Sequence, residues 1–143
     1  MPISPRNMAK PRLRTIGYRV SYSRFTDGGG AAGTFQLPDD FLTKIPVGAY
    51  VLGTRLLVHA GFAGDTSATI TIGDGSDVDR YNTGTPDVFT TAATAGIDAG
   101  VPSGVKIHTT AIRPTLTITS GSDWGLVTAG EVEIIIGFLE FQA

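Results

Sequence analysis

Cysteine is absent from the 143 residues. That removes disulfides, thiol catalysis and thiolate zinc sites together. A small secreted scaffold held by disulfides goes with them, while the redox compartment stays open. Histidine occurs only at His59 and His108, and a zinc centre would need at least one further ligand beside them. No apolar run approaches the about 20 residues of a membrane-spanning helix, and no membrane partner is expected. The basic N-terminus has no apolar segment behind it, so the expectation is synthesis and assembly in the cytoplasm without a secretory leader. Acids are missing from residues 1–24, which carry Arg6, Lys10, Arg12, Arg14, Arg19 and Arg24. The remaining chain sets five of the 11 basic residues against all 13 acids. A basic leading segment on an acidic body suits an acidic neighbour, nucleic acid or a second copy of the chain.

What is abundant is glycine, threonine and short alternating apolar stretches, a composition of strands and turns. The stretch Gly48–Asp79 organises the rest. In its first run Tyr50, Leu52, Leu56, Val58, Ala60 and Phe62 share one face, with Gly53, Arg55, His59 and Gly61 on the other. In its second, Ala68, Ile70 and Ile72 oppose Ser67, Thr69 and Thr71. Period-two alternation of this kind marks half-buried antiparallel strands. Further strands are expected over Thr15–Phe25, around Val88 and Phe89, at Val105 and Ile107, over Thr115–Thr119 and from Glu131 to Phe141. Thr26–Thr34, with three consecutive glycines, reads as a mobile loop, and Pro38–Phe41 as one short helical turn. The polar segment Ser76–Ser103 is long for a compact domain, which points to a task or a partner. Trp124 follows the turn Ser120–Asp123 and reads as a core plug. Seven to nine strands predict an all-β fold, an antiparallel β-sandwich or jelly roll. The domain plan is an extended basic arm over residues 1–14 and one sandwich domain over 15–143, the arm argued from Pro2, Pro5 and Pro11 among basic residues.

Chemistry is sparse. Asp74, Asp77 and Asp79 around Gly75 are weak candidates for a calcium site, but the full EF-hand loop is missing, and a solvated turn capped by carboxylates explains them as well. Ser67, Ser76 and Ser120 lack a nucleophile elbow. No nucleophile, base and orienting group can be assembled from these spacings, so an enzyme is not expected, nor is a cofactor. The leading segment lacks the aromatic interleaving of a single-strand groove, which argues against direct nucleic-acid binding. Arg6, Lys10, Arg12 and Arg14 are therefore candidates for gripping a protein partner. On the last strand, Val132, Ile134, Ile136 and Phe138 form one face. The other begins with Glu131 and Glu133 and turns apolar at Ile135, Leu139 and Phe141, which makes these three candidates for a subunit interface.

Gly48-Ala49-Tyr50 leading to Leu56-Leu57-Val58, then Ala68 to Gly75, then Asp77-Val78-Asp79-Arg80-Tyr81, resembles small virion proteins of tailed bacteriophages. Leu116 to Thr119 and Thr128 to Val132 extend the likeness, which covers roughly residues 45–140. Within that group it is most similar to capsid decoration, or cement, proteins. The resemblance implies a non-enzymatic jelly-roll protein on the capsid exterior. It would assemble as a dimer or trimer, bind the major capsid protein and clamp neighbouring shell subunits. Alternatives are a head–tail connector or tail subunit of the same virion, and a glycan-binding sandwich using Trp124, Tyr81 and the long loop.

Overall fold

The structure, a computed structural model, describes residues 11–90, 97–100, 102 and 107–141. Its strands are β1 (Pro11–Ser21), β2 (Thr26–Asp27), β3 (Ala32–Gln36), β4 (Tyr50–Ala63), β5 (Ala68–Gly73), β6 (Ile97–Gly100), β7 (Thr115–Ser120) and β8 (Ala129–Phe141). They form two four-stranded sheets, ordered β1-β8-β4-β6 and β2-β3-β7-β5, and every strand pair is antiparallel. The pairing is nested, first strand with last, β3 with β7, β4 with β6. Residues 86–88 complete the nest beside β5, where the Ile70 N–H donates to the Pro86 carbonyl and the Val88 N–H to the Ala68 carbonyl, each at 3.0 Å. Such nesting is a jelly roll.

Alternation builds the core. Ile16 and Val20 of β1, Leu56, Val58 and Phe62 of β4, and Val132, Ile134, Ile136 and Phe138 of β8 are buried from one sheet. Phe35, Ile70, Ile72, Leu116 and Ile118 meet them from the other. Each such side chain contributes about 1.5–3 kcal/mol on burial. Trp124 plugs one end as expected, its ring centroid 5.5 Å from Phe25 and 6.4 Å from Phe62. Gly33 of β3 lies beneath the indole, and a Cβ there would stand 2.3 Å from Trp124 Cε2. That residue is glycine because the ring occupies its side-chain space.

Four expectations change. First, among the described residues there is no separate arm: Pro11–Arg14 are part of β1, in register with Phe141–Phe138. Pro11 is tolerated because it opens an edge strand, where its missing N–H breaks no ladder bond. Arg6 and Lys10 lie outside the described residues. Second, Leu52 and Ala60 leave the inward face of β4. The register slips between Val51 and Gly53 and again beyond Val58, so that Val51 and Thr54 point inward and Leu52 and Ala60 are exposed. Third, the ends of the glycine loop pair as a β2–β3 hairpin, with Thr26 opposite Thr34. Fourth, β1 ends at Ser21, and Tyr22–Arg24 form a 3-10 turn. Pro38–Phe41 enters a hydrogen-bonded turn in which the Thr43 N–H donates to the Asp40 carbonyl at 3.0 Å. Val105 lies outside the described residues, while Ile107 makes an isolated bridge to Tyr50.

This wiring gives the sandwich two unlike ends. One gathers the connection 37–49, residues 74–85, residues 107–114, the start of β1 and the end of β8. It is called the loop end below. The opposite end carries residues 22–31, 64–67 and 121–128.

Candidate interaction surface

The outward face of the β1-β8-β4 sheet divides along its length. Towards the opposite end it is polar: Arg19 pairs with Glu131, and His59 Nε2 lies 2.8 Å from Glu133 Oε1. Towards the loop end it is largely apolar, with exposed Arg55 opposite Ile135 and Thr15 opposite Gly137. Leu13 stands opposite Leu139, and Pro11 opposite Phe141; Leu139 is opposite Tyr50 on its other side. Leu13 is 64% exposed and Phe141 48%, and Leu52 is exposed nearby, while Ile135 and Leu139 are half-buried. Gly137 lies between Thr15 and Gly53 in the intervening row, which leaves a shallow trough. The structure therefore brings Ile135, Leu139 and Phe141 onto one face and adds Leu13 and Leu52 to it.

Arg12 and Arg14, two of the residues expected to grip a partner, both reach Glu140. Even-numbered residues of β1 point inward, so Arg14 turns into the loop end of the sandwich. Its guanidinium lies 4.6 Å from the Phe41 ring centroid and 5.2 Å from that of Phe138. It donates to Glu140 Oε2 at 3.0 Å and to the Phe41 carbonyl at 3.2 Å. Arg14 is thus engaged within its own chain. Arg12 also donates to Glu140, at 3.2 Å, but its side chain is largely exposed. The Arg14 and Arg12 hydrogen bonds and charges together hold the Glu140 pKa below the usual carboxylate range.

The acidic turn is a closed structural unit. Asp74 Oδ1 accepts from the Asp77 N–H (2.8 Å), the Ser76 N–H (3.0 Å) and the Ser76 hydroxyl (3.0 Å). Asp74 Oδ2 accepts from Arg80 Nε at 2.9 Å. The Asp74 side chain is only 5% exposed. Burial alone would raise its pKa, but the amides of Asp77 and Ser76 and the Arg80 guanidinium outweigh it and bring the value down to about 2. Asp77 Oδ2 makes a longer ion pair with Arg80 Nη1, at 3.5 Å. The neighbouring Asp77 carboxyl raises the Asp79 pKa above its ordinary value. Asp74 has no oxygen to spare for a cation, and among the described residues no cluster of three His, Asp or Glu side chains could hold a metal ion.

Neither histidine meets a serine nucleophile. Tyr81 is fully buried, and its hydroxyl lies 2.5 Å from His108 Nε2. Burial lowers the His108 pKa and raises that of Tyr81, so burial favours the neutral form of both partners. The Tyr81 carbonyl accepts from the buried Thr54 hydroxyl at 2.7 Å. With Tyr81 and Trp124 both in the core, no aromatic platform is left for a sugar in the glycan-binding arrangement. Sequence reasoning missed the connection 37–49, which exposes Phe41, Leu42 and Val47. Three apolar residues within seven positions beside Pro38 and Pro46 were the available signal.

No family model matches the chain, and no curated protein matches it. Among solved structures it is similar to a chain of the cyanophage Pam1 capsid asymmetric unit, with 18% identity, a TM-score of 0.49, and coverage of 90% of this chain and 85% of that one. It is also similar to a chain of the acidic stable capsid structure of the Helicobacter pylori bacteriophage KHP30, with 12% identity, a TM-score of 0.42, and coverage of 92% and 97%. A chain of the infectious bursal disease virus VP2 subviral particle follows at 17% identity and a TM-score of 0.28, with coverage of 99% of this chain and 41% of that one.

Proposed function

We propose that the chain is a non-enzymatic capsid decoration protein, which binds the outer surface of a phage head and stabilises contacts between major capsid subunits. The observation that carries this reading is the outward face of the β1-β8-β4 sheet, apolar over the half that holds Leu13, Leu52, Ile135, Leu139 and Phe141. A jelly roll that exposes apolar side chains over half of one sheet face is suited to acting through buried area. The sequence resemblance over residues 45–140 points the same way. Ile135, Leu139 and Phe141 form the contact between copies, in a dimer or trimer. Arg6, Lys10 and the exposed Arg12 reach the major capsid protein, whereas Arg14 braces its own domain.

The test is add-back to heads stripped of the protein, with copies per head counted for the full chain and for a truncation lacking residues 1–10. Hundreds of copies, held less tightly when the segment is missing, support decoration and the role of Arg6 and Lys10. A handful of copies would assign the chain to a connector or tail position instead.

A further inference from the structure

Histidine is the side chain whose charge ordinarily changes between pH 5 and 8, and the two histidines of this chain stand in unlike surroundings. His59 lies on the outward sheet face, its Nε2 2.8 Å from Glu133 Oε1. A proton taken up there completes an ion pair. His108 faces a phenol instead, with Nε2 2.5 Å from the Tyr81 hydroxyl. Tyr81 is fully buried, and among the described residues this nitrogen is the one partner of its hydroxyl. A neutral imidazole nitrogen can accept the phenol proton, whereas an imidazolium carries hydrogen on both nitrogens and accepts from nothing. Protonation of His108 therefore sets donor against donor. Even if the hydroxyl oxygen accepts from the imidazolium, the phenol proton is left buried without an acceptor, which is a costly state for a polar group.

We propose that Tyr81 and His108 form an acid-sensitive latch, in which protonation of His108 unlocks residues 107–112 from the buried segment 74–85. The two sides of the latch are anchored differently. Tyr81 is fixed in the core, its N–H donating to the Ile72 carbonyl at 2.9 Å and its carbonyl accepting from the Thr54 hydroxyl at 2.7 Å. His108 sits on a segment held to residues 45–50 by backbone bonds alone. The Gly48 N–H donates to the His108 carbonyl at 3.1 Å, and Ile45 and Ile112 exchange hydrogen bonds at 2.8 and 2.9 Å. Among the described residues the phenol–imidazole bond is the one side-chain hydrogen bond between 74–85 and 107–112. His108 is half-buried, so a proton reaches its ring without unfolding. The charged groups acting on it are Asp74, which favours the imidazolium, and Arg80, which opposes it. These two are bonded to each other at 2.9 Å and largely offset. Asp77 and Asp79 belong to the same turn, and Lys106 lies outside the described residues. Residues 45–50 and the rest of 107–112 carry no charged side chain, and Tyr50 is the one further titratable group there. Burial is the largest influence and lowers the His108 pKa from its ordinary 6.5. With the folded value depressed below the unfolded one, the unfolded chain binds the proton first. The contribution of His108 is therefore fully present above about pH 6.5 and is lost as the pH falls from there towards the folded value.

The latch stands apart from the decoration reading and is tested on the full chain alone. Two histidines give two imidazole titrations by NMR, assigned with His59→Gln. The His108 midpoint should lie below 6.5 in the parent. In Tyr81→Phe it should move up towards 6.5, because the neutral ring no longer receives a phenol proton. Amide exchange, corrected for its intrinsic pH dependence, reads the unlocking. Between about pH 7.5 and about pH 5.5, protection of the Gly48 and Ile112 amides should fall at least about fivefold, while that of Ile134 in β8 holds. His108→Gln keeps an acceptor for the phenol but takes up no proton, so its protection should stay constant over the same range. His59→Gln should behave as the parent. A His108 midpoint at or above 6.5, a midpoint that Tyr81→Phe leaves in place, or an acid loss of protection that His108→Gln retains would each overturn the latch. Equal loss at Ile134 would overturn it in favour of global unfolding.

Discussion

Replacing Asp74 by Asn leaves the shape of the acidic turn almost unchanged and removes its charge. The amide oxygen still faces the Ser76 and Asp77 amides, but its NH2 group now confronts Arg80 Nε, a donor against a donor at a site where the wild-type bond is 2.9 Å. The magnitude follows from linkage. The carboxyl is held at about 2 in the folded chain against an ordinary 3.8, and each pKa unit is worth about 1.36 kcal/mol. The charged form is therefore favoured by about 2 kcal/mol. Because the folded-state pKa is depressed, this stability is fully present above about pH 4 and is lost as the pH falls through about 2. Urea denaturation at pH 7 should show Asp74→Asn destabilised by roughly 2–3 kcal/mol, a fall in melting temperature of roughly 5–10 °C for a chain of this size. Repeated between about pH 4 and pH 2, the wild type should lose stability more steeply than the variant, and the gap should narrow. A variant less than about 0.5 kcal/mol weaker at pH 7, or one with the parent's acid slope, would refute the assignment of Asp74 as the centre of this turn.

Gly33→Ala forces a methyl group to within 2.3 Å of the indole of Trp124; it should cost about 1–3 kcal/mol in denaturant melts and alter Trp fluorescence in the native state. Tyr81→Phe removes the phenol that faces His108 Nε2 and should cost about 1 kcal/mol at pH 7, measured the same way. Calcium added in millimolar amounts should leave the melting temperature of the wild type within about 1 °C, because the oxygens of Asp74 are already taken by four donors.

Where side chains alternate strictly, the fold was legible. Ile70 and Ile72, and Val132, Ile134, Ile136 and Phe138, were each placed on one face of a strand from period two alone, and all are buried. Trp124 was placed correctly because an indole after a tight turn has few other uses. Bulges were not legible: Leu52 and Ala60 keep the period of their neighbours in sequence but lose it in space, since the register against β8 slips. The start of β1 was hidden by its own chemistry. Arg12 and Arg14 occupy inward positions, and only the pairing with Glu140 and the stacking on Phe138 make those positions acceptable for guanidinium groups. The same local reading concealed the exposed connection 37–49. Phe41, Leu42 and Val47 are ordinary loop hydrophobics until the sheets bring them to one end, and exposure is a property of the fold. By contrast, the outward half-face of β8 could be read directly, since Glu131 and Glu133 give way to Ile135, Leu139 and Phe141 at alternate positions of one strand.

The central claim is that this chain strengthens a shell. Its most direct test is the temperature at which packaged DNA escapes from heads, followed with a dye that cannot enter them, for native heads, stripped heads and stripped heads with the pure protein restored. The account predicts that stripping lowers the release temperature and that restoring the protein returns it in proportion to the copies bound. Equal release temperatures for stripped and restored heads, at full occupancy, would contradict it.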